Sequence, residues 1–151
     1  MKSFFARYYL DLQNRIKSTV PEIEWIEQDF GQEVFDKWRP NVAFPSVLID
    51  FPMTNYEAEG GLSQFATVSI TIRLLVAPFS QSYEDAPIEV KKDALSYFEL
   101  EQKLISSLHG WYPDDEYCQP LIRESISSHN RNDIGLRIRN ITFSTAYEED
   151  F

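Results

Sequence analysis

The sequence is short of the residues that mark several classes of protein. It has one cysteine, Cys118, so no disulfide can form within the chain, and a lone thiol is typical of a reducing compartment. It has five glycines and neither a G-x-G-x-x-G nor a G-x-x-x-x-G-K pattern, so nothing indicates a phosphate-binding loop. Two histidines and one cysteine do not supply a zinc site. The sequence therefore predicts neither a metal nor another cofactor.

Basic residues and long apolar runs are also scarce. The 14 Lys and Arg residues are outnumbered by 24 Asp and Glu, and the resulting charge of −10 repels phosphate, so we expect no tight binding to nucleic acid. No segment approaches the roughly 20 apolar residues of a membrane span. Arg7 and Asp11 interrupt the aromatic N-terminus before it reaches the length of a signal peptide, so we expect the mature protein to begin at Met1 and to have no membrane partner.

The sequence does have enough apolar surface for one core. Its 151 residues are 43% hydrophobic and 15% aromatic, which is too rich for a disordered chain and suits one ordinary domain over residues 1–151. The clearest pattern is in residues 64–77, where apolar and polar side chains alternate. The apolar set is Ala66, Val68, Ile70, Ile72, Leu74 and Val76. This alternation predicts a half-buried strand that covers a hydrophobic layer with one face.

The remaining elements are predicted around that strand. Helices are expected over residues 3–18 and 94–109, and strands over residues 23–28, 45–51, 121–128 and 134–147. Residues 30–40 are expected to form a helical turn or an ordered loop. Residues 53–63 are expected to project as a hairpin connection longer than a two-residue turn, and residues 78–93 to be an irregular polar connection. The fold class is therefore α+β, with a single mixed, mostly antiparallel sheet of four to five strands and two main helices on one face.

Local signals refine two of these elements. Ser96 and Glu99 have the spacing of a capping box at the start of the second helix, and Gly110 follows its end, where a left-handed residue is favoured. In the last strand Ile134, Leu136 and Ile138 face one way, and Ile141, Phe143, Thr145 and Tyr147 follow in the opposite phase. One extra residue would bring both sets to the same face, so we predict a β-bulge near Asn140.

No residue is proposed as catalytic. Glu89-Val90-Lys91 has the E-x-K form of some metal-dependent nucleases, but short patterns match by chance and we favour a solvated charge pair. Asp50 is expected to be partly buried and paired with Arg73. The acidic pair Asp114-Asp115 is expected to be hydrated. His109 is expected at a helix C-terminus, and His129 at the end of a hairpin.

Seven residues are candidates for a surface that binds a protein partner. The projecting hairpin connection would present Tyr56, Glu57 and Glu59. The aromatic residues Phe79, Tyr83, Trp111 and Tyr112 fall in or beside loops, where an exposed ring serves as an interface anchor. The alternative is that these loops fold back and bury the rings.

The order of elements resembles the tail-terminator and head-to-tail completion proteins of long-tailed bacteriophages and prophages. The likeness is carried by a first helix, the strand F-P-S-V-L-I-D-F (44–51), a projecting loop, the alternating strand, a leucine-rich helix (97–108) and a final hairpin ending near S-T-A-Y (144–147). The resemblance implies a mixed sheet with two helices on one face. It implies a subunit of a ring, commonly hexameric, that caps the tail tube and joins it to the capsid connector.

The same resemblance implies a place and a set of partners. The subunit would be in the bacterial host cytoplasm during assembly and in the virion tail afterwards, and it would contact itself, tail tube proteins and head connector proteins. It implies no catalytic residues. Residues 30–40 and 78–93 depart from the shorter members of that family, and they leave the ring contacts open.

Three functional hypotheses follow. The first is a structural ring protein at the end of a phage-like tail. The second is a non-catalytic acidic adaptor or chaperone that binds one partner protein. The third, which we favour least, is a metal-dependent nuclease using Asp50 or Glu89.

Overall fold

A computed structural model describes residues 2–32, 44–77, 81–133 and 135–151. Within these ranges the chain has three helices and five strands. They are α1 (Phe4–Thr19), β1 (Trp25–Gln28), β2 (Ser46–Gly60), β3 (Ser63–Val76), α2 (Ile88–Ala94), α3 (Ser96–Leu108), β4 (Ile122–Ser128) and β5 (Arg137–Glu149). The strands form one sheet in the order β1-β2-β3-β5-β4, in which β1 is parallel to β2 and every other pair is antiparallel. The predicted α+β fold class is confirmed.

The strand over residues 64–77 is at the centre of the sheet, as predicted. β3 pairs with β2 on one side and with β5 on the other. Its alternating apolar residues all belong to the main hydrophobic core, and five of the six are fully buried. The neighbouring strands add residues to the same layer, among them Val47 and Ile49 from β2 and Ile141 and Phe143 from β5. One face of the sheet therefore provides the floor of the core.

Helices α1 and α3 cover that floor. α1 begins after Ser3, whose side chain caps the helix by accepting a hydrogen bond from the Ala6 amide at 3.4 Å. The buried positions of α1 recur every four residues, at Tyr8, Leu12 and Ile16, and α3 buries Leu104, Ile105 and Leu108 in the same core. Burial of these two helical stripes against the sheet is the main source of stability for the fold.

The predicted long connection over residues 53–63 is wrong. β2 continues to Gly60, and residues 61 and 62 alone connect it to β3. Gly60 and Gly61 both have positive φ, which suits glycine and permits the tight turn. Pro52 does not end the strand because it lies at a register shift between Asp50 and Met53, where a missing amide hydrogen costs no ladder bond.

The predicted β-bulge near Asn140 is also wrong. β5 pairs with β3 in unbroken register from Arg137 to Glu149. Leu136 and Ile138 are buried on the opposite face of the sheet, in a small second cluster with Leu48 and Leu75. The two apolar sets of β5 are thus buried on opposite faces of the sheet, and no extra residue is needed to bring them to one face. The register shift at this edge is in β4, between Arg123 and Ser125.

The predicted irregular connection over residues 78–93 contains helix α2, which begins after Pro87. The predicted helix over residues 94–109 is therefore shorter, since α3 begins at Ser96 and ends at Leu108. The capping box is absent, because the Ser96 hydroxyl donates to the Asp93 carbonyl at 2.7 Å. Gly110 has φ of 82° and so confirms the left-handed residue expected after α3.

The two histidines occupy the expected places. His109 is the residue at the C-terminal cap of α3, and His129 follows β4, where its amide donates to the Ile138 carbonyl. Most of the predicted turn or loop over residues 30–40 lies outside the described residues.

Candidate interaction surfaces

Three of the seven candidate interface residues lie together on the second half of β2. We call residues 53–69, which include the β2–β3 turn, the hairpin end. Tyr56 is 44% exposed there, and Glu57 and Glu59 are exposed. Sequence reasoning missed two neighbours, Met53 and Leu62, which are 58% and 71% exposed. Met53 lies in β2 and Leu62 in the turn after the Gly-Gly pair, and no periodic pattern in the sequence marks either side chain as exposed.

The hairpin end is acidic. Residues 53–69 contain two acidic residues, Glu57 and Glu59, and no basic residue. Across the sheet Glu57 is opposite Phe65, which is opposite Glu148, so both carboxylates lie on the face away from the helices. The pKa of Glu59 is raised by desolvation and by the charges of Glu148 and Asp150. This end of the molecule therefore has a concentrated negative potential.

The middle of the sheet face away from α1 and α3 is polar and mostly uncharged. Because neighbouring positions on a strand point to opposite faces, the residues between the core positions of β3 and β5 share this surface. Short hydroxyl side chains dominate it, namely Thr67, Ser69, Thr71, Thr142 and Ser144. The basic residue in the same alternation, Arg73, is 8% exposed and forms an ion pair with Asp29 at 3.2 Å.

The aromatic candidates differ in exposure. Tyr83, before α2, is 59% exposed, and Tyr112, after α3, is 42% exposed. Trp111 is half-buried, because its ring lies 5.9 Å from that of Tyr8 and packs against the main core. Phe79 lies outside the described residues. A further exposed apolar group on α2 and the start of α3, formed by Ile88, Leu95 and Phe98, was not identified from the sequence.

An open cleft of about 400 Å³ separates α1 from the loop after α3. Beside it the Tyr117 hydroxyl donates to an Asp11 carboxylate oxygen at 2.6 Å, and the Arg7 guanidinium lies 3.9 Å from the centre of the Tyr117 ring. Arg7 also forms an ion pair with Asp115, one of the two loop acids expected to be hydrated. These contacts hold the loop after α3 against α1.

Cys118 is expected to react slowly in the folded protein. Burial raises the pKa of its thiol from 9.0 to about 11, although a hydrogen bond with Thr145 opposes the shift. At pH 8 the thiolate fraction should be about a hundredfold lower than in the unfolded chain, so alkylation by iodoacetamide should slow by a similar factor. Equal rates in buffer and in urea would contradict the burial of this thiol.

The same shift has a consequence for stability. The folded state holds the Cys118 proton more tightly than the unfolded state, so this group's contribution to stability is present below pH 9 and is lost as the pH rises from about 9 to 11. Thermal melts across that range, compared with the Cys118→Ser variant, measure the contribution. The variant should lose less stability than the wild type over this interval.

The residues of the nuclease hypothesis lie on different elements. Glu89 and Lys91 are on α2, where Glu89 pairs with Lys92 at 3.7 Å, and Asp50 is on β2. The expected burial of Asp50 and its pairing with Arg73 are wrong, because Asp50 is exposed and Arg73 is paired with Asp29. Within the described ranges, no group of three or more His, Cys, Asp or Glu side chains is placed to hold a metal ion. No helix in the described part of the chain is long and apolar enough to cross a bilayer.

No protein-family model matches the sequence, and no curated protein matches it. Among solved structures, one that matches is a chain from the virion of a native gene transfer agent (GTA) particle. The TM-score is 0.54 at 9% sequence identity, and the match covers 99% of this chain and 100% of the other. The two chains share a fold. At this identity the likeness concerns the fold alone, over nearly the full length of both chains.

Proposed function

We propose that this chain is a structural protein of a phage-like virion, and that it acts as a tail terminator or head-to-tail completion protein that forms a ring at the end of the tail tube. The observation that carries the proposal is the full-length likeness to a chain of a gene transfer agent virion. It agrees with the order of elements in the sequence, which resembles tail terminators. The role is non-enzymatic.

The distribution of exposed apolar residues supports a ring. A subunit that associates head to tail needs two different surfaces, one for each neighbour. The hairpin end exposes Met53, Tyr56 and Leu62, whereas α2 and the start of α3 expose Ile88 and Phe98. These groups lie on separate elements of the chain, as a heterologous contact requires.

The polar sheet face supports passage of DNA through such a ring. A channel that DNA must traverse should not hold phosphates by direct ion pairs. The hydroxyl-rich face has short neutral side chains, and the net charge of −10 repels the DNA backbone. The face is therefore suited to line a channel to which DNA does not adhere.

The proposed partners are copies of this chain, the tail tube and the head connector. The acidic hairpin end, with Glu57 and Glu59 and the neighbouring Glu148 of β5, would suit a basic surface on one of them. The proposed location is the bacterial host cytoplasm during assembly and then the virion tail.

Light scattering after size-exclusion chromatography tests the proposal. We expect the mass to rise from a monomer to one defined oligomer as the protein concentration increases from micromolar to sub-millimolar. EDTA should leave this assembly unchanged, because no metal takes part in it. A monomer throughout that range, with tight binding to one partner protein, would instead favour the adaptor hypothesis.

A further inference from the structure

We draw no further inference here: the strongest candidate, the exposed apolar patch that Ile88, Leu95 and Phe98 form on α2 and the start of α3, carries none because nothing in the structure shows what covers it.

Discussion

Replacement of Phe143 by alanine is expected to lower the free energy of unfolding by about 3–5 kcal/mol. Phe143 is fully buried in β5, opposite Ile70 of the central strand, and belongs to the core that α1 and α3 cover. Its loss would remove apolar contacts and leave a cavity where a rigid sheet and two helices cannot close the space.

Urea denaturation followed by circular dichroism measures the effect of Phe143→Ala. Phe143→Leu keeps most of the volume and should cost less than about 1.5 kcal/mol. Phe151→Ala removes the same ring from a site that is 78% exposed and should change stability by less than about 0.5 kcal/mol. A loss below about 1 kcal/mol for Phe143→Ala would mean that β5 does not form the floor of the core.

Replacement of Arg73 by alanine is expected to cost about 3–5 kcal/mol as well, for an electrostatic reason. Arg73 is buried on the central strand, its Nη1 lies 3.2 Å from an Asp29 carboxylate oxygen, and its Nε donates to Asn140 at 3.0 Å. Asp29 is itself only 16% exposed at the side chain. Removal of the guanidinium would leave this carboxylate desolvated and deprive it of its Arg73 partner.

A double variant separates the contribution of the ion pair to stability from that of side-chain packing. Because replacing both members of a buried pair by apolar residues is often close to neutral, Arg73→Met with Asp29→Leu should be more stable than Arg73→Met alone. Lys17→Ala, at an exposed cation on α1, is the surface control and should be near neutral. Additive losses from Arg73→Met and Asp29→Leu would show that the two side chains do not interact.

The elements with a single strong periodicity were predictable from the sequence. The alternation in residues 64–77 identified β3 as half-buried, and the helical spacing from Tyr8 to Ile16 identified α1, because in both cases most of the apolar side chains lie on one face. The errors occurred where that condition fails. Leu136 and Ile138 are buried on the second face of the sheet, so their phase suggested a bulge that β5 does not have.

Prolines and polar residues led to wrong boundaries for β2 and for the connection before α3. Pro52 suggested the end of β2, but a register shift accommodates it and the strand continues for eight residues to Gly60. The polar composition and two prolines of residues 78–93 suggested an irregular connection, whereas its last part belongs to the short helix α2. Asp29, the partner of Arg73, lies 44 positions away in sequence, and no local pattern indicates such a contact.

The exposure of part of the candidate interaction surface could be predicted from the sequence. Tyr56, Glu57 and Glu59 were proposed as exposed and they are, but as part of a strand and not of a loop. The place of β4 at one edge of the sheet could not be identified in advance, because strand order depends on which segments pair across the chain. Whether the seven candidate residues form an interface stays a prediction.

The central claim is that this chain is a subunit of a ring. Electron microscopy of the purified protein at high concentration tests it most directly, because a ring is recognised by its central opening and its rotational symmetry. The account predicts closed rings with one subunit number and an axial channel. Single subunits, or compact oligomers without a channel, would contradict it.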